Sequence, residues 1–281
     1  MRRIFAFRWR RFLMINRFSD RITICGLLCS AVLALTTVPA SAGVGNAPVP
    51  KTTGNFNNPD VMPLQSSPFG ATYEEWSARF WQWQFSLPVN ANPIFDTADC
   101  SAGQSGHVWF LGGSALGFQT SPGVVTATAN RACNVPPGTA LFFPVVNNEC
   151  STIPGDQVPP FTSALTDLKP CARFASSFID PSPGKLYVIL DGVSIKALTQ
   201  YEVSSPLFTF GPLPDNNVLQ SFGLVAPAGT TAQSVSDGIQ LMLHPLSAGK
   251  HVLHFHAETD LSPLGLPRFI QDITYYLTVG H

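Results

Sequence analysis

Charge is scarce in this chain. Of 281 residues only 16 are Lys or Arg and 17 are Asp or Glu, and the basic ones are unevenly placed. Arg2, Arg3, Arg8, Arg10, Arg11, Arg17 and Arg21 all stand at the N-terminus. Without residues 1–42, nine basic residues face sixteen acidic ones, a net charge of about −7. A domain that acidic has no basic footprint for DNA or RNA, nor a polybasic patch for anionic lipid. The signatures HExxH, GxSxG, GxGxxG and the P-loop are also missing. Gly112-Gly113-Ser114 lacks the spacing of a phosphate loop, and no CxxC pair suggests a zinc ribbon or redox motif. These gaps leave open a Ser/His/Asp triad, whose members can lie anywhere in sequence.

The N-terminus is basic, then apolar from Ile22 to Val38, then small at Ala40-Ser41-Ala42. That order predicts a secretory signal over residues 1–42. A start at Met14, keeping Arg17 and Arg21, gives a leader of more ordinary length than one at Met1. The 17-residue apolar run also approaches the ~18 of a membrane span, so an uncleaved anchor competes with cleavage. After cleavage no stable membrane anchor is expected, and the destination is periplasmic or secreted. Cys100, Cys133, Cys150 and Cys171 remain, an even count that in an exported chain predicts two disulfides. Three pairings are possible; the sequential one, Cys100–Cys133 with Cys150–Cys171, is the expectation.

Residues 43–70, rich in Pro, Asn, Thr and Ser, read as an extended arm. Thr72 and Glu75 form a capping box, and Pro88 ends the helix they start. Tyr73, Trp76, Phe80, Trp83 and Leu87 make its apolar stripe, which Trp81 and Phe85 widen enough to predict burial between two layers. Beyond Pro88 come short apolar or alternating segments separated by Gly, Pro, Asn and Asp. They are His107–Leu111, Val124–Ala129, Thr139–Val146, Lys185–Leu190, Ser194–Ala197, Phe208–Phe210, Gly238–His244, Lys250–Ala257 and Phe269–Val279. One further helix is expected from Thr162 to about Phe178, with Pro170 as a break point. The predicted fold is all-β: an antiparallel sandwich of jelly-roll or immunoglobulin-like type with an aromatic helix at its start, one domain over residues 71–281.

Several phrases then stand out as a set: Trp76–Trp83 (WSARFWQW), Asn92-Pro93, Val108–Leu111 (VWFL), Val135–Pro144 (VPPGTALFFP), Leu190-Asp191-Gly192, Ser236-Asp237-Gly238, Pro245–His251 (PLSAGKH) and Asp272–Val279 (DITYYLTV). Together they resemble a group of uncharacterised, signal-bearing exported bacterial proteins over most of the mature chain. The resemblance implies a bacterial, exported, β-rich domain and carries no activity, cofactor or catalytic residue. His107 departs from it, standing where a small residue or proline is expected.

Two places could hold chemistry. In Lys250–Glu258 the alternation puts His254, His256 and Glu258 on one face; in the next strand Asp272, Thr274, Tyr276 and Thr278 share a face. A hairpin with His254 opposite Asp272 gathers these groups. They suit acid–base work or a divalent metal at His254 and His256, but alternation on a sheet wetted on one side gives the same pattern. The second place is Glu149 at the end of an apolar strand, with Asp96 and Asp99 on a loop before Cys100. An acid pair of Glu149 and Asp96 would be glycosidase machinery if set ~5–10 Å apart, although most such residues form turns. The indole of Trp81 could be a stacking platform. The expected function is a non-enzymatic domain binding a glycan, an envelope component or a protein, using Trp81, His254, His256 and Tyr276. The alternative is a polysaccharide hydrolase using Asp96, Glu149, His254 and Asp272. No cofactor is otherwise expected.

Overall fold

A computed structural model describes Asn55, residues 58–96 and residues 98–280. The predicted leader, the choice between Met1 and Met14 and half of the arm lie outside the described residues. Thr72 caps helix α1 (Tyr73–Ser86): its hydroxyl accepts from the Glu75 N–H, and the Glu75 carboxylate accepts from the Thr72 N–H at 2.9 Å. The helix buries Tyr73, Trp76, Phe80 and Trp83, and on another side Ser77, Gln84 and Phe85. Tyr73 meets Phe142 while Phe85 meets Phe210, so two clusters of the core grip it. The last described part of the arm is docked. Val61 bridges to Leu243, and Asn58 exchanges hydrogen bonds with the Lys196 backbone.

Among the described residues eleven strands make two sheets. One sheet runs β1 (Val108–Phe110), β4 (Ala140–Ser151), β9 (Ala232–Leu243) and β7 (Glu202–Ser204), with β8 (Phe208–Phe210) also on β9. The other runs β2 (Gly117–Ser121), β3 (Val124–Val135), β11 (Arg268–Val279), β10 (Gly249–Thr259), β5 (Leu186–Leu190) and β6 (Val193–Ile195). The two sheets face each other through rings such as Phe143 and Phe255, 5.2 Å apart. The β-rich, two-sheet architecture with an early aromatic helix is thus as the sequence predicts. The pairing is mixed, however: β1 lies parallel to β4, and β3 parallel to β11.

Helix α2 (Leu165–Ser176) starts later than expected and runs through Pro170 without a break. Pro170, on its second turn, removes one backbone N–H from the helix ladder, and the helix continues on both sides of it. A third helix, α3 (Val218–Ser221), is one turn long. The disulfides pair sequentially, Cys100–Cys133 and Cys150–Cys171. The first ties the loop before β1 to β3; the second ties β4 to α2. Two such bonds fit an oxidising, extracytoplasmic compartment. Among the described residues no helix is long and apolar enough to cross a membrane.

Candidate functional site

Strand β1 covers the edge of β4 only along Ala140–Phe142. The chain then turns away at Gly112-Gly113, where side chains have no room: a Cβ would lie 2.5 Å from Ile94 Cγ2 at Gly112 and 2.0 Å from Gln271 Oε1 at Gly113. From Pro144 onward no strand among the described residues covers that edge of β4, and a cavity of about 360 Å³ opens along it. Both sheets, α1 and α2 contribute to its wall, which is mainly apolar, with Phe80, Phe85, Val146, Leu219, Phe222 and Phe269 among the lining residues. Gln271 reaches across from β11 to donate to the Val145 carbonyl at 3.0 Å.

Polar groups in that wall are few. Glu149 lines it from β4, Asp156 from the following loop. Ser151, Ile153 and Gln157 fold this loop back on the strand: Gln157 donates to the Ile153 carbonyl at 2.7 Å, and the Ser151 hydroxyl donates to Asp156. The two carboxyl groups lie within hydrogen-bonding reach of each other, a contact that needs a proton on one of them. Ser234 Oγ donates to Glu149 Oε2 at 2.5 Å. Both acids are half-buried and keep some exposed surface. Burial first, and the neighbouring Asp156 second, push Glu149 well above the usual carboxylate range. Burial raises Asp156 to about 6, against hydrogen bonds from Glu149 and Ser151 that hold it down. Three more wall residues have a buried polar atom without a hydrogen-bond partner: Trp81 Nε1, Gln84 Oε1 and Asn147 Nδ2. Gln84 is only 2% exposed. Lys, Arg and His do not occur among the lining residues.

The predicted acid pair is therefore corrected. Glu149 has Asp156 as its partner, whereas Asp96 holds the buried Arg131 guanidinium at 2.7 Å and does not line the cavity. Arg131 also donates to Tyr275 Oη and the Gly112 carbonyl, which makes Asp96 part of the support beneath the Gly112-Gly113 turn. Asp99 caps its own loop through the Ser101 N–H. Trp81 is corrected too: it is half-buried, edge-on to Phe80, and forms a wall of the cavity instead of a flat exposed platform.

The histidine face forms, with a different register. His256, not His254, stands opposite Asp272, and His254 stands opposite Thr274. A shift of two residues leaves every side chain on its expected face, so alternation alone could not select between the two pairings. In the observed register Arg268 bonds Glu258 and Asp260 on the β10 side and Asp180 beyond. Asp272 still reaches both imidazoles, His254 Nε2 at 2.7 Å and His256 Nδ1 at 3.3 Å. Tyr187 stacks on His256 with ring centroids 4.9 Å apart. Tyr276 is half exposed on the same face. The two rings converge on a carboxylate, and among the described residues no group of three or more ligands is gathered for a metal ion. Neither His254, His256 nor Tyr276 lines the inter-sheet cavity.

A second, shallower cleft of about 520 Å³ runs beside α1, past Arg79, Gln82 and His107. Its rings Trp76 and Trp83 are buried, and His107 stacks on the exposed Phe69. Comparison with known proteins finds no matching family model, no similar curated protein and no similar solved structure.

Proposed function

We propose that the chain is a non-enzymatic binding domain that holds a small, mainly apolar ligand in the cavity along the free edge of β4. It would work in the periplasm or outside a bacterial cell, once residues 1–42 have been removed. One observation carries the reading: an apolar cavity in the size range of ligand sites contains a few convergent polar groups without protein partners, at Trp81, Gln84 and Asn147. An apolar envelope component suits such a wall better than a glycan, whose many hydroxyls need more partners than the wall provides. The histidine face, outside the cavity, reads as the wet side of the second sheet. Titration with N-phenyl-1-naphthylamine, an uncharged apolar fluorophore, tests this. Saturable binding at one site, lost when Ala115→Trp and Leu266→Trp fill the cavity, is expected. Binding that ignores the filling substitutions contradicts it.

A second reading keeps the same acids. A carboxyl pair sharing a proton is acid–base machinery, and Glu149 with Asp156 could serve a hydrolase acting on a polymer. The rest of the wall is mainly apolar, however, and offers few partners for the hydroxyls of a sugar. Turnover of any polysaccharide that disappears in Glu149→Gln would favour this reading over binding alone.

A further inference from the structure

Among the described residues the cavity wall carries negative charge and no positive charge. Glu149 and Asp156 are the charged lining residues there, and Ser151 and Ser234 bond them. A fatty carboxylate, a sulfate or a phosphate would enter an apolar space already occupied by acids and meet no cation, an arrangement burial penalises heavily. A donor head is different. It would find the carboxyl oxygens and Gln84 Oε1, an acceptor with no partner of its own. The same wall includes Phe80, Trp81 and Phe85, rings of the kind that attract cations.

We propose that the ligand is an apolar amine, its body against the aromatic wall and its ammonium head held by the carboxyl groups of Glu149 and Asp156. This rests on the binding reading above and adds the class of ligand. A proton balance follows. On this proposal the empty pair carries one shared proton, and an ammonium ion arriving there supplies counter-charge and donors in its place. The bridging proton then leaves to solvent, so the complex keeps two carboxylates, one ammonium and the same net charge as the empty pair. Binding the amine therefore releases a proton and strengthens as pH rises toward neutrality, while an alcohol of the same length shows neither effect.

The test compares decylamine, decanol and decanoate on the purified protein by isothermal titration, in two buffers of different ionisation heat. Near about pH 8 the amine should bind about tenfold more tightly than the alcohol, since hydrogen bonds to charged groups are the stronger kind. Decanoate should bind most weakly. The amine preference should vanish in Glu149→Gln/Asp156→Asn while decanol binding persists, which shows the variant is folded. Glu149→Gln alone, with no shared proton left, should bind amine without releasing one. Equal affinity for all three heads, or a preference that survives in the double variant, overturns the head-group assignment and leaves the binding reading standing. Failure of all three to bind overturns both.

Discussion

An acid buried without a cation is stable only while it keeps a proton, and that makes Glu149 and Asp156 a source of pH dependence. Both have folded-state pKa values raised above those of an unfolded chain, Asp156 to about 6. The folded state then holds more protons than the unfolded one, so the stability linked to this pair is present in acid and is lost as pH rises through about 6. Thermal melting without ligand should show a midpoint that falls as pH rises from about 4 to about 6, and the fall should flatten in Glu149→Gln/Asp156→Asn. An unchanged slope in the variant would place the titration elsewhere. Glu258 acts in the opposite sense: burial opposes its charge, but Lys185 and Arg268 outweigh this and hold it below the usual range. Its contribution is lost only in stronger acid. Of the pair, Glu149 was legible in the sequence as an acid at a strand end. Asp156 was not, because Pro154-Gly155-Asp156 has the composition of a turn, and nothing in the residue types shows that the turn folds back onto its own strand.

At the scale of elements, three connections hold the cavity walls in place. The Cys150–Cys171 bond joins β4 to α2 across 21 residues of sequence. Replacing both cysteines with alanine should cost about 3 kcal/mol in urea unfolding, the loop entropy the bond removes from the unfolded chain. Gly238 is the second. It faces Asn147 beside the irregularity at Pro144–Val146 with φ of +152°, and a Cβ there would lie 2.4 Å from the Val146 carbonyl oxygen. Gly238→Ala should therefore destabilise the fold by roughly 1–3 kcal/mol, measured in the same unfolding experiment; a neutral result would mean that β4 yields freely at this point. The third is the Arg268 cluster, which ties β11 to β10 in the observed register. Capping at Thr72, the helical stripe and the alternation along β10 and β11 were all readable, since each is a local pattern. Register was not, and neither were β2 and β7, which are too short or too exposed to leave a period of their own. The parallel partnerships of β1 with β4 and β3 with β11 join segments far apart in sequence, where turn chemistry says nothing.

For the whole molecule, the cavity follows from an omission: β4 is longer than the strand that covers its edge. Alternation in a sequence tells which side chains face a core, but it does not tell where two layers fail to close. For that reason the sequence pointed to the outer histidine face, whose pattern is conspicuous, while the inter-sheet space lined by Trp81, Gln84 and Asn147 left no motif. The low charge of residues 43–281 is consistent with a protein whose recognition is mainly apolar, with acids placed at one point of the wall. The most direct test of that account is a crystal structure of the protein grown with decylamine. Density for one alkyl chain is expected along β4 between Trp81 and Phe85, ending beside Glu149 and Asp156. An empty inter-sheet cavity, with the amine seated instead in the cleft beside Trp76 or on the face of His254 and His256, would contradict it.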